Sequence, residues 1–329
     1  MSQMLSKKGL NVSLNVFDKP KYDIIVILWP VLELLQTALE HSPKAHIGVL
    51  NPGELSWANK LNKEHKILLN NIDFFLVTGF MWRDLLLRYN KRVYQVIDYE
   101  YAENKELKKH KKTDNLIIGY HGNRLHYAQD FFPNGAQALK RLSNKYNITL
   151  KILTNNIDNQ PRIKGVNTDF IEWELDSYES HLSSFDIGIC PYFSTMNQLT
   201  DPFVYIRNPN RINSLLFYGI PSVASPIPQN CQVLKDQETV LFAVSEDGWY
   251  HAIEDLITQP DLRNKIGRAG KKMVEEKFSS KVATSKFIEM LNDEIEKPVS
   301  EKMGISESFI KKLNKQPYNF LGRIKGIIN

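Results

Sequence analysis

"NRINSLLFYGIPSVAS", residues 210–225, is the stretch that decides the fold. It reads as a short helix, a glycine stop, a proline and an apolar strand, which is the returning half of a parallel crossover unit. Asn210 is the expected N-cap, and Gly219 the residue that ends the helix. Arg211 then stands beside a helix end that already carries partial positive charge. Two like charges together are unfavourable unless an anion arrives. A phosphate accepted by the helix N–H groups and the guanidinium resolves the conflict. The plain alternative is an Asn cap followed by a solvated Arg.

Working outward, strand-like and helix-like segments alternate along the chain. In the first third, 23–29, 45–51, 73–79 and 92–98 are short apolar runs. Between them, 31–41, 54–70 and "WRDLLLRY" have helical spacing. After "ENKELKKHKKTDN" (103–115) the pattern restarts, with strands at 116–122, 148–154, 169–175, 186–192 and 240–243. Helices fill "DFFPNGAQALKRLSNKY", "SYESHLSSF" and most of 247–293. Continuous apolar runs alternating with amphipathic ones predict parallel sheets covered by helices on both faces. The charged segment 103–115 reads as an interdomain linker, or else as a solvated helix extension. The predicted fold class is α/β, two Rossmann-like parallel-sheet domains facing a cleft.

The 329 residues are enough for two domains, and 42% hydrophobic composition gives each a core. A net charge of +5 does not call for nucleic acid; it suits a phosphorylated ligand or an anionic surface. Cys190 and Cys231 form no CxxC pair and read as buried thiols of a reducing compartment. The N-terminus has no signal-peptide pattern, and the richest apolar run, 23–40, is broken by Pro30 and Glu33. A cytoplasmic protein is expected.

Ligands of open parallel sheets bind beyond the C-terminal strand ends. In "GYHGNRLHYAQD" (119–130), Gly122 lets a ligand approach the backbone beside His121. Asn123, Arg124 and His126 follow as hydrogen-bond donors, suiting a diphosphate; a plain βα turn has the same composition. Trp173 is placed to stack on a nucleobase or to sit in the core. Glu172, Glu174 and Asp176 alternate and read as a solvated face rather than a metal site. There is no Asp-x-Asp triad to demand a divalent ion. Tyr192 follows the strand 186–192, and Asn213 and Ser214 share the first helical turn with Arg211. In the first half, Glu54, Asp98 and Glu100 follow strands and are candidate bases as well as ordinary caps or surface acids. His126 is a second candidate for proton chemistry.

Residues 114 to about 285 resemble the donor-binding domain of GT-B glycosyltransferases, the group-1 or family-4-like ones. The resemblance lies in "IIGYHGN", "HLSSFDIGICPY", 210–243 and "AIEDLITQPDLRNKIGRAGKKMVEEKFS", in that order and spacing. Residues 1–113 look like a shortened acceptor-side domain, and 286–329 a helical basic tail. The resemblance implies sugar transfer from a nucleotide-diphosphate donor to a saccharide or lipid-linked acceptor, with no cofactor or metal and with retention more often than inversion. By position, His121, Gly122 and Asn123 would touch the diphosphate, Arg211 would bind phosphate, and the segment around Trp173 and Glu174 would meet the base. The predicted donor set is completed by Arg124, Tyr192, Asn210, Asn213 and Ser214; the catalytic set is Arg211, His126, Glu54 and Asp98. The chain departs from the family where two Glu normally flank this helix: Ser214 takes the second position, the first holds no Glu, and Gln232 replaces another Glu. Two further readings follow, a catalytically silent GT-B-like binding subunit and a sugar-nucleotide epimerase.

The tail "FIKKLNKQPYNFLGRIKGIIN" (309–329) interleaves Lys and Arg with Phe, Leu and Ile. Such a segment suits an anionic membrane surface at the cytoplasmic face; the resemblance to GT-B enzymes implies the alternative, that 275–293 and the tail pack back onto the first domain. Surface polysaccharide or glycolipid assembly is the setting the tail and the resemblance suggest.

Overall fold

The computed structural model describes residues 2–28, 32–53, 55, 60–99, 106–132, 135–192, 204 and 206–309. Two parallel sheets divide it. The first contains β1 (Ile24–Leu28), β2 (His46–Leu50), β3 (Phe74–Val77) and β4 (Val93–Gln95), side by side in chain order. Each crossover steps the sheet the same way. Right-handed crossovers therefore put α1 (Leu32–His41), α2 (Lys63–Leu69) and α3 (Phe80–Leu86) on one face. Strand alternation sends Phe75 and Val77 into that core, with Leu35, Leu68 and Leu86. Phe74 and Leu76 point the other way, and Met290, Phe287 and Leu291 cover them.

That cover comes from the far end of the chain. Helix α10 (Ser280–Ile295) leaves the second half and lies on the open face of the first sheet. It is fastened by charge. Glu294, fully buried, meets His46 Nδ1 at 2.9 Å and Arg92 Nη1 at 3.1 Å, and accepts from the Tyr94 hydroxyl at 2.8 Å. Further on, Asp73 pairs with Lys302 and accepts from the N–H of Ser300 (2.6 Å) and Ile47 (2.8 Å). Phe309 closes the strap, buried in the first core under the Lys63 ammonium. Of the two readings of the tail, a membrane surface or packing back onto the first domain, Phe309 takes the second. Residues 310–329 lie outside the described residues.

The second sheet runs β10-β9-β8-β5-β6-β7, all parallel. Its strands are β5 (Leu116–His121), β6 (Ile148–Thr154), β7 (Asn167–Glu172), β8 (Ile187–Cys190), β9 (Ser222–Ala224) and β10 (Leu241–Phe242). From β5 the chain winds out through β6 to β7. It then returns to the opposite side of β5 and winds away through β8, β9 and β10. Reversal of direction puts helices on both faces. On one side lie α5 (Gly135–Ser143) and α8 (Glu246–Thr258), burying Leu139, Trp249 and Ile253. On the other lie α6 (Tyr178–Ser184), α7 (Asn210–Phe217) and α9 (Pro260–Phe278), burying Leu182, Leu215 and Met273. The reversal falls between β5 and β8, and a crevice opens at a switch point of this kind.

Two expectations are sharpened. Residues 106–112, which run between the two sheets, are not a helix extension, and they dock along the second half. The His110 N–H donates to Asn264 Oδ1 (2.9 Å), its Nε2–H to the Gly219 carbonyl (3.1 Å), and Arg263 holds the Lys111 carbonyl (2.7 Å). Burying the apolar edge of Leu107 against Gly219 gives an otherwise charged segment a reason to dock. Of the two cysteines only Cys190 is buried; Cys231 is exposed because it lies on the outer side of the short helix Pro228–Val233.

Candidate functional site

The site grows from the switch point. β5 delivers Tyr120, His121 and Gly122; β8 delivers Pro191 and Tyr192; α7 brings its N-terminal end between them. Arg211 joins all three. Its Nη1 donates to the Tyr120 hydroxyl (3.3 Å) and its Nη2 to the Pro191 carbonyl (3.0 Å). The guanidinium lies over the Tyr192 ring, 4.4 Å from the centroid. No carboxylate pairs with it among the described residues. Gly122 makes this possible. Its φ is +140°, and a Cβ there would lie 2.8 Å from Arg211 Cδ. The missing side chain gives room to the arginine stem, where the sequence suggested room for a ligand.

His121 ties the strand end to the helix. Its Nε2–H donates to the Arg211 carbonyl at 2.7 Å. Burial, and then the neighbouring Arg211 charge, push the imidazole down to about 4, so it is neutral near pH 7. A neutral histidine adds no repulsion beside the arginine.

The helix end differs from expectation in one detail. Pro209, not Asn210, is the N-cap, and no side chain caps the helix. Proline's fixed φ suits the entry to the helix. Asn210 becomes the first helical residue; its Oδ1 accepts from the Arg211 N–H at 2.8 Å. Asn210 is exposed, so the tip opens to solvent. Ser214 turns inward on the helix and donates to the Asn210 carbonyl (3.0 Å). Asn213 is 1% exposed, and neither end of its amide finds a partner. A buried amide left open costs about 1–3 kcal/mol.

A second guanidinium converges on the same strand end. Arg207 Nη1 donates to the Tyr192 carbonyl and to Asp130 Oδ2, each at 2.6 Å. Asp130 also accepts from His126 Nδ1 at 2.9 Å. A π-helical turn, Tyr127–Phe131, brings Asp130 under His126; such turns recur at functional sites. Asp130, Arg207 and Tyr120 were not singled out from sequence. Only the four-residue spacing His126–Asp130 hinted at a shared side of a turn; Arg207 lies ahead of the helix that carries Arg211, so no helical spacing links the two.

Other expected residues stand further out. The Asn123 side chain caps the one-turn helix α4 (Arg124–His126), accepting from the Leu125 N–H at 2.9 Å, and its carbonyl accepts from Tyr120. Arg124 is exposed, with its N–H on Asn155. Trp173 is 44% exposed, just past β7, with its ring 5.9 Å from that of Tyr178; the core alternative is excluded. The Glu174 side chain is exposed, and its carbonyl accepts from the Tyr178 N–H. Tyr192 is buried, so it meets Arg211 rather than solvent. Glu54 and Glu100 lie outside the described residues. Among the described residues no three His, Cys, Asp or Glu side chains are grouped to hold a metal ion.

The first half reaches this site through Asp98. Its Oδ2 accepts from Asn208 Nδ2 at 2.9 Å, three residues ahead of Arg211. The Asn208 carbonyl in turn accepts from the Tyr192 hydroxyl (3.1 Å). Asp98 is open to water yet walled by protein, and that desolvation raises its carboxyl above the ordinary value. A second bridge runs from Gln229 Nε2 to the Thr78 carbonyl at 3.3 Å. Both bridges join residues just past β3 and β4 of the first sheet to segments that follow strands of the second, one of them directly ahead of α7.

This architecture is the GT-B fold. TarM of S. aureus, solved with fondaparinux, α-GlcNAc-glycerol and UDP, superposes with a TM-score of 0.56 at 13% identity over 75% of this chain. The chain spans about half, 51%, of that TarM chain. Sucrose-phosphate synthase from Thermosynechococcus elongatus gives 0.57 at 13% identity, covering 83% of this chain and 73% of the synthase. HepE from Anabaena, in complex with UDP-glucose, gives 0.58 at 10%, covering 83% and 79%. No protein-family model and no curated protein sequence matches the chain.

Proposed function

We propose that the chain is a glycosyltransferase that moves a sugar from a nucleoside-diphosphate donor, bound at the β5–β8 switch point, to an acceptor held between the domains. One observation carries the reading: Arg211 stands beside a solvent-exposed helix tip at the β5–β8 switch point, with no counter-anion among the described residues. Cleaving the donor leaves a diphosphate with extra negative charge. Arg211 and the helix N–H groups are in place before the donor arrives, and each such donor contributes a few kcal/mol to the transition state. Arg207 adds a second cation nearby, partly neutralised by Asp130. Trp173 is the proposed platform for the base, because an exposed ring past β7 can stack on any nucleobase. The proposal includes metal-independent transfer, which predicts turnover that persists in EDTA.

The acceptor is proposed to be a saccharide or a lipid-linked saccharide of surface polysaccharide or glycolipid assembly, handled at the cytoplasmic side of a membrane. No helix among the described residues is long and apolar enough to cross one. A second reading, a silent binding subunit, draws on Ser214 and Gln232 standing where related enzymes carry carboxylates.

Incubation with a panel of nucleotide sugars, UDP-glucose first because HepE binds it, separates the two. Release of nucleoside diphosphate that depends on an added saccharide acceptor supports transfer. Nucleotide binding without release from any donor supports the silent subunit.

A further inference from the structure

A second cluster of charge lies at the end of α7 remote from Arg211. The Gly219 carbonyl, just past that end, accepts from His110. His110 also exchanges two hydrogen bonds with Asn264 of α9: its N–H donates to Oδ1 (2.9 Å), and its carbonyl accepts from Nδ2 (2.7 Å). With Arg263 on the Lys111 carbonyl, the segment 109–112 is fixed against α9. Asn264 opens onto a shallow groove of about 460 Å³, whose wall also carries Asp261, Lys265, Arg268 and Lys272. Lys265, Arg268 and Lys272 follow at intervals of three and four residues, so they share one side of the helix over about 10 Å. Lys109, Lys111 and Lys112 are exposed, on backbone bonded to the groove wall. Along α7, eight residues long, this cluster and Arg211 are about 12 Å apart.

Counter-charge is what the groove lacks. Several cations of this half are matched: Lys108 with Asp186 (3.2 Å), Arg141 with Glu246 and Asp247 (3.0 and 2.7 Å), Lys145 with Glu254 (2.7 Å). Among the described residues Lys109, Lys111, Lys112, Lys265 and Arg268 meet no carboxylate, and Lys272 reaches Glu276 only at 3.8 Å. Asp261, the one acid among the described residues of the groove wall, sits in the first turn of α9, where the helix dipole favours it. A bound polyanion relieves the self-repulsion of such a strip. The surroundings select among polyanions. Neither 106–115 nor 259–279 exposes a large apolar side chain, and a membrane-seated surface sets such side chains among its charges. No Phe, Tyr or Trp is exposed there to stack on bases. We propose that this groove is a second binding site, separate from the nucleotide site, for an acidic glycan. The choice of a glycan among soluble polyanions rests on the glycosyltransferase reading; the binding itself does not. On that reading the docked polymer is the acceptor or the product it becomes, kept at high local concentration beside the enzyme.

The test is calorimetric titration of the full chain with polygalacturonate and heparin fragments, and with neutral dextran as control. Binding of at least one acidic glycan and none of dextran is expected, with affinity that falls as salt rises. Lys111→Glu/Lys265→Glu/Arg268→Glu is expected to weaken that binding by about tenfold or more. The corresponding Gln variant, which removes charge without reversing it, is expected to give part of the loss. Lys140→Glu/Lys164→Glu/Lys286→Glu makes the same charge change at exposed positions away from the groove and is expected to retain most of the affinity. No binding of either acidic glycan, or an equal loss in the two Glu variants, overturns the proposal. So does tighter binding of a single-stranded oligothymidylate, a DNA duplex or phosphatidylglycerol vesicles through the same residues. Each of these leaves the glycosyltransferase reading standing, because that reading turns on nucleotide-sugar release. Absence of release overturns that reading without altering the titration.

Discussion

Arg211 shows how a single residue separates a structural role from a functional one. Its contacts are two neutral acceptors and an aromatic face. None of them balances its charge, and a poorly solvated unpaired cation gains little from folding. Arg211→Met, of similar volume, is therefore expected to change ligand-free stability by less than about 1 kcal/mol, because the lost hydrogen bonds and the relieved charge offset each other. The measurement is urea denaturation. A loss of several kcal/mol would make the residue structural. His121 gives a prediction in pH. Its folded value, about 4, lies below the ordinary value near 6.5. Between the two, the unfolded chain binds the proton and the folded one does not. The contribution is fully present above about pH 6.5 and is lost as pH falls toward 4, by up to about 3 kcal/mol. His121→Asn should flatten the stability difference between pH 7 and pH 4.5 relative to wild type; equal slopes would contradict the assignment. At this scale the sequence was informative about charge and poor about geometry. Arg211 stood out as a cation at a helix start, whereas the N-cap was misplaced by one residue because Pro209 competes for the position. Arg207 and Asp130 escaped notice because their partnership depends on a π turn, which has no signature in composition.

At the scale of elements, the site depends on how closely α7 approaches β5. Gly122 sets that approach. In Gly122→Ala the added methyl meets the arginine stem and the backbone is held at a φ that L side chains rarely adopt. A cost of about 1–3 kcal/mol is expected, read by urea denaturation. Nucleotide affinity should fall with it, because the guanidinium must shift. Unchanged stability and affinity would show that the loop yields freely. The strands were legible because parallel strands buried on both sides are continuous apolar runs, as in β3 and β8. Their order was not. Nothing local distinguishes a sheet wound one way from one that reverses, yet the reversal between β5 and β8 is what defines the switch point where ligands of such sheets bind. Trp173 was ambiguous for a similar reason: the run "DFIEWEL" looks like one strand, but β7 ends at Glu172 and leaves the ring outside.

The whole molecule is held in its two-domain form by the return of its C-terminal end. A sheet wound in one direction leaves one face uncovered, and α10 supplies the cover. Glu294 is the anchor, with His46, Arg92 and Tyr94 around it. Glu294→Ala would strand those partners, and breaking a buried pair from one side costs about 3–5 kcal/mol. Loss of that order in urea denaturation, with faster proteolysis near 296–304, is expected; a change below about 1 kcal/mol would show that the apolar contacts suffice. Asp73 adds an acid limit. Burial opposes its ionisation, but Lys302 and the N–H groups of Ile47 and Ser300 outweigh that and hold the carboxyl below its ordinary value. Its contribution is present above the unfolded value near 3.9 and disappears as pH falls through the lower folded one. That the C-terminal end packs back onto the first domain was one of the two readings open in the sequence; which residues fasten it, Glu294 and Asp73 above all, carried no local signal. The central claim, that the switch point holds a diphosphate through Arg211, is tested most directly by calorimetric titration of a panel of nucleoside diphosphates, UDP first. Binding of at least one of them, weakened tenfold or more in Arg211→Met, is the predicted result. No binding by any of them, or equal affinity in the variant, would contradict it.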